Sequence, residues 1–131
     1  MRKLPVVILV LIALLVAVVA GCGGAHYDGR LVAADSLIRS NPDSALAMLE
    51  ALPTASLTTE GDRAYLGLLL AQARYKAYVV ATSDSDINRA LKYYRAHSRE
   101  REKLTRAYIY KGAVMEELNY PDSAMFYYKS A

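Results

Sequence analysis

The sequence predicts an all-α protein in which helix-turn-helix repeats stack as a short α-solenoid behind an N-terminal signal helix. Three observations carry that expectation. Ala124 and Tyr128 have counterparts 34 residues earlier at Ala90 and Tyr94, and each pair lies one helical turn apart on an apolar face. Pro121-Asp122-Ser123-Ala124 recurs as Pro42-Asp43-Ser44-Ala45, and Arg106-Ala107-Tyr108 recurs as Arg63-Ala64-Tyr65. Finally, the stretch from Arg106 to Ala131 reads as two short helices broken at Asn119-Tyr120-Pro121.

The chain divides into residues 1–21 (signal peptide), 22–29 (flexible tether) and 30–131 (helical repeats, the last incomplete). Arg2-Lys3 followed by an apolar run from Leu4 to Ala20 has the charged and hydrophobic regions of a secretory signal. Those 17 residues span about 25 Å as a helix, short of the ~30 Å hydrocarbon core. The competing reading is an uncleaved membrane helix with an incidental cysteine. Val19-Ala20-Gly21-Cys22 resembles the lipobox of bacterial lipoproteins. That resemblance implies cleavage before Cys22 and a membrane anchor through its acylated thiol. No Asp follows Cys22, which by likeness to enteric lipoproteins points to the outer rather than the inner membrane, with the domain facing the periplasm or the cell surface. The glycine-rich segment 23–29 reads as a tether reaching ~15 Å.

Leu31, Ala34, Leu37 and Ile38 share a face of a first short helix. Asn41-Pro42 then starts a second, with Asn as N-cap, Pro in the first turn and Asp43 at the positive end of the helix dipole. Ala45, Leu46, Leu49 and Leu52 form its buried stripe, and Pro53 ends it. Thr58-Thr59-Glu60 offers a cap for a long helix over 60–80, apolar on nearly every side, as expected of a helix packed between two neighbours. Ser83 to Asp86 reads as the capping segment of a helix carrying Ile87, Ala90, Leu91 and Tyr94. Residues 100–118 form the next helix, with Leu104, Ala107, Tyr108, Gly112 and Met115 inward. From Tyr65 to Tyr108 is 43 residues, nine more than the period, so the middle repeat is extended.

A 34-residue helical hairpin with an aromatic, a small residue, then alanine and an aromatic resembles the tetratricopeptide repeat family. Tyr108 is similar to its first aromatic, Gly112 to its close-packing glycine, and Ala124, Tyr128 and Ala131 to the second helix's alanine, aromatic and small residue. Lys111 stands where a leucine is usual and Met115 where a tyrosine is usual. In that family the first helix of each repeat lines a groove for a peptide. Carried over, the groove positions are Arg63, Leu66, Leu70 and Arg74, then Arg106, Ile109, Ala113, Glu116 and Glu117. The resemblance thus implies a lipoprotein of a Gram-negative envelope that binds a peptide segment of another envelope protein. Two further readings stand beside it: the N-terminal part of a larger signalling or regulatory protein, and a glycan-binding accessory lipoprotein. An exposed end at the incomplete last repeat is expected to self-associate.

Composition removes most chemistry. One cysteine and two histidines leave no material for disulfides, structural zinc or thiol catalysis. Without residues 1–21 the chain has 14 basic and 13 acidic side chains, close to neutral. Asp84, Asp86 and Asn88 open like an EF-hand loop, but Arg89 and Arg95 occupy the glycine and glutamate positions. His97 reads as a surface residue at a helix end. No Ser-His-carboxylate set or phosphate loop stands out, so neither enzymatic activity, a cofactor nor a metal is expected. Between Arg89 and Lys111, eight basic residues face only Glu100 and Glu102. A secreted chain does not meet nucleic acid, so this reads as a solvated face or a contact for acidic partners or anionic lipid.

Overall fold

The computed structural model describes residues 26–131; the signal segment, the lipobox and Cys22 lie outside the described residues. Among those described, the protein is all-helical, with six α-helices, one 3-10 turn and no strand. Helix α1 (Gly29–Ile38) starts on Asp28, whose carboxylate accepts the Arg30 N–H at 2.9 Å. Helix α2 (Pro42–Ala51) starts as the sequence predicts: Asn41 Oδ1 accepts the Ser44 N–H at 3.1 Å and Pro42 occupies the first turn. A 3-10 turn over Thr54–Ser56 leads to α3 (Glu60–Lys76), where Thr59 Oγ1 accepts the Asp62 N–H at 3.0 Å.

Helix α3 stops four residues short of the expected Val80. Tyr78 takes a left-handed conformation, φ 59°, so its N–H turns back to the Tyr75 carbonyl and that of Val79 to Arg74. This closure satisfies the last carbonyls at a residue that carries a Cβ, which costs about 1 kcal/mol. Asn119, φ 67°, closes α5 (Arg101–Glu117) in the same way, with Tyr120 N–H donating to the Met115 carbonyl at 2.8 Å. Between them lies α4 (Ser85–Ala96), and α6 (Pro121–Ser130) follows.

Each helix packs on its neighbours in sequence, and α1 also packs on α3 and α3 on α5. Helix α3 therefore sits at the centre, which is why its residues from Ala64 to Ala73 are buried without a break. Small residues set the helix spacing: Ala34, Ala64, Ala73, Ala90 and Ala107 are wholly buried. A Cβ on Gly67 would collide with the Asp86 carbonyl at the start of α4, so only glycine allows that approach. The aromatic positions divide. Tyr65 and Tyr94 are in the core and Tyr108 is half-buried, whereas Tyr128 is 38% exposed. Tyr128 differs from Tyr94 because α6 packs chiefly on α5, while α4 is held between α3 and α5.

Two further expectations require correction. Tyr27 and Asp28, assigned to a tether over 22–29, belong to the folded domain: the Tyr27 ring packs 4.5 Å from that of Tyr65, and the Asp28 N–H donates to Asp62 Oδ1 at 2.8 Å. Neither Asp84 nor Asp86 caps α4 with its side chain. Lys111 is 4% exposed, and its Nζ donates to Asp84 Oδ2 and Asn88 Oδ1, both at 2.6 Å. Asp86 accepts from Arg74 at 2.8 Å. A buried ammonium must be paired, so tertiary charge pairing takes these carboxylates from the helix end. The Lys111 hydrogen bond holds the Asp84 carboxyl below its ordinary pKa.

Removing the Asp84 carboxylate strands a buried cation, so Asp84→Ala should destabilise the protein by about 3 kcal/mol in urea unfolding, whereas Lys111→Met should change it by less than about 1 kcal/mol. Gly67→Ala should cost about 2 kcal/mol, because the neighbour to be displaced is backbone.

Candidate functional site

The shared face of α1, α3 and α5 converges on Arg106. Its Nη1 and Nη2 donate to Asp35 Oδ1 and Oδ2, both at 2.9 Å, and Nη1 also reaches Gln72 Oε1 at 2.9 Å. The Tyr65 hydroxyl donates to the same Asp35 carboxylate. Glu102 Oε1 lies 2.7 Å from Arg106 Nε, but off the N–H direction, so that contact is ionic without being a hydrogen bond. Side chains of all three helices thus meet in a clasp: Asp35 from α1, Tyr65 and Gln72 from α3 and Arg106 from α5.

Sequence places these groups together only through tertiary packing, since Asp35 and Arg106 are 71 positions apart. Burial would raise the Asp35 carboxyl, but the hydrogen bonds from Arg106 and Tyr65 outweigh it and hold the pKa below the usual value. Burial works against the Arg106 charge, and Asp35 more than restores it. Tyr65 is pushed up, first by burial and then by its hydrogen bond to Asp35. The group is a fixed ion pair at working pH, which suits a structural tie and a charged recognition edge rather than proton transfer.

Around the clasp, Val32, Asp35, Arg39, Tyr65, Gln72 and Glu102 line an open pocket of about 400 Å³. Val32 in its lining is exposed, Ile109 is exposed three residues after Arg106 on α5, and Tyr75 of α3 meets Tyr110 of α5 edge-on at 6.0 Å. The nine groove positions carried over from sequence are not brought together as a surface. Leu66, Leu70 and Ala113 are buried in the core, because α3 and α5 are covered on more sides than a groove helix would be. Arg63 donates to the Leu57 carbonyl at 3.0 Å, and Arg74 pairs with Asp86. Glu117 accepts the Ala81 N–H at 2.9 Å, and Glu116 accepts from Tyr128 at 2.9 Å. Burial and that hydrogen bond push Tyr128 up to about 12. Ile109, 41% exposed, is the groove position left with an outward apolar side chain.

Nothing in the sequence singles out Asp35 or Gln72. Asp35 lies beside the apolar stripe of α1 and looks like a solvent-facing acid; no local signal separates it from one. Lys111 did leave a signal, as a cation inside an otherwise apolar run. Among the described residues no group of His, Cys, Asp and Glu is arranged to hold a metal.

Because the folded Asp35 pKa is depressed, its contribution is present above the unfolded value of about 3.9 and is lost as pH falls through the lower folded value. Asp35→Asn should therefore cost about 3 kcal/mol at pH 7, and the gap to the parent protein in urea midpoints should shrink below about pH 4. No protein-family model, curated protein or solved structure matches this chain.

Proposed function

We propose that this chain is a lipid-anchored, tetratricopeptide-like scaffold of a Gram-negative envelope, stacked as a short solenoid, which binds a peptide segment of a partner protein and is not an enzyme. The observation that carries the reading is the shared face of the alternate helices α1, α3 and α5. It places exposed Val32 in a pocket with the charged side chains of Asp35, Arg39, Glu102 and Arg106, and exposed Ile109 follows Arg106 by three residues on α5. Apolar contact supplies the affinity of a peptide, and fixed charges select its register. The repeated Ala-x-x-x-Tyr spacing and the alternate-helix packing support the family likeness. The signal-like run ending in Val19-Ala20-Gly21-Cys22 supports the anchor.

The docking surface proposed here differs from the one the sequence suggests. Arg106 is part of the clasp and Leu66 and Leu70 are core, so changing them would test folding and not binding. Screened against an array of peptides from envelope proteins, the mature chain should show ligands whose binding falls at least tenfold on Val32→Glu or Ile109→Glu. Both variants should keep the parent unfolding midpoint, because both side chains are exposed. Unchanged binding by both would reject this surface.

One observation favours glycan binding as a second reading. Tyr75 and Tyr78 line an open pocket of about 490 Å³ with Lys76, Val80 and Glu117, and Tyr78 is 93% exposed. Exposed tyrosine faces are suitable for stacking on sugar rings. Glycan binding abolished by Tyr78→Ala and indifferent to Ile109→Glu would favour it over the peptide surface.

A further inference from the structure

We propose that the end of the domain where the chain enters at Tyr27 docks on an anionic lipid surface. The inference rests on the anchoring upstream of Tyr27 proposed above, and adds an orientation to it.

The entry point is fixed by two consecutive residues. The Tyr27 hydroxyl donates to Glu100 and lies 3.3 Å from that of Tyr94, while the Asp28 N–H is held by Asp62 at 2.8 Å. This places the incoming chain against the start of α3, the end of α4 and the start of α5. Cys22 is five residues from Tyr27, which limits the separation to about 18 Å of extended chain. An anchor at Cys22 therefore brings this end, and not the opposite one, to the membrane.

The same end collects positive charge. Lys92, Arg99 and Arg101 are exposed, and Arg63 and Lys103 are half-buried. No carboxylate lies within 4 Å of any of the five among the described residues. Lys103 Nζ sits 4.9 Å from the centre of the Tyr27 ring, directly at the entry point. Of the acids at this end, Asp28 is offset by Arg30 and Glu102 by Arg106, while Asp62 and Glu100, which accept from neutral donors, keep their charge, so with Glu60 three carboxylates stand against the five cations. Glu60 remains exposed beside the cations.

At the opposite end of α3, about 25 Å away, Tyr78, Val79 and Val80 are exposed, and the acids Asp84, Asp86 and Glu117 are matched by Lys111, Arg74 and Lys76. Excess positive charge thus lies at the end where the chain enters. Attraction to an anionic bilayer falls off within a Debye length of about 8–10 Å, and the short tether keeps the cations within about two such lengths. Anchoring raises their effective concentration at the surface, so even a modest attraction selects one orientation.

The full chain, produced in a Gram-negative host and purified from its membranes, is reconstituted into phosphatidylcholine vesicles with and without phosphatidylglycerol. Its intact mass first reports whether Cys22 carries lipid. A fluorophore on Ser98→Cys, at the basic end, or on Ser83→Cys, at the opposite end, is then read against headgroup-attached quenchers. We expect several-fold stronger quenching at position 98 with phosphatidylglycerol, falling to the position-83 level in phosphatidylcholine alone or on joint Lys92→Glu, Arg99→Glu and Arg101→Glu, with helical circular dichroism unchanged. Equal quenching at both positions, or quenching at 98 indifferent to lipid charge, would overturn the proposal. An unlipidated mass with charge-dependent quenching would reject the lipoprotein anchor and leave the docking face standing.

Discussion

The Arg106 guanidinium, turned inward from α5 to meet Asp35 of α1 across Gln72 of α3, is the contact on which the arrangement of alternate helices depends. A charge removed from water has to be paired in good geometry, and a bidentate carboxylate satisfies that in one relative placement of the two helices. Helix α1 has ten residues, too few to persist alone. Its position is set jointly by apolar packing on α2 and α3 and by this reach to α5. The shape of the exposed face follows from that placement.

Lys111 repeats the logic on the other side of α5. There a buried ammonium draws in Asp84 and Asn88 from the α4 region, while the Tyr127 ring lies 5.3 Å from its Nζ. Helix α5 thus carries two cations facing different neighbours, one directed at α1 and one at α4. Apolar contacts between alanine- and leucine-lined helices tolerate sliding by a turn, whereas each ion pair fits only one register. The division of labour is physical: burial of apolar surface supplies the cohesion, and the paired charges choose among the ways of achieving it.

What remains outside these contacts defines the surfaces available for function. Arg74, Lys111 and Glu117 are committed to Asp86, Asp84 and the Ala81 N–H, whereas Arg106 is paired with Asp35 and still lines the open pocket. Lys92, Arg99 and Arg101 are exposed at the end where Tyr27 brings in the chain, while exposed apolar side chains lie at Val32 and Ile109, at the turn of Tyr78 and on α6 at Met125 and Phe126. The proposed binding face and the proposed membrane-facing end adjoin at Tyr65, whose ring packs on Tyr27.

The local features were legible in the sequence because short-range sterics and hydrogen bonding determine them. Asn41-Pro42 and Thr59 start helices where a cap satisfies orphan N–H groups, the apolar spacing of α1 to α6 reports the helical period, and the 34-residue recurrence placed Ala90 and Ala124 in buried positions. The left-handed closure at Tyr78 was hidden, since an aromatic residue gives no hint of positive φ. Tertiary structure alone decided how the charges were used: which of Asp35, Asp84 and Arg106 would be paired, and hence which groove positions stay open. Coulombic pairing acts between residues far apart in the chain, and a carboxylate on a helix surface looks the same in sequence whether it meets water or a guanidinium.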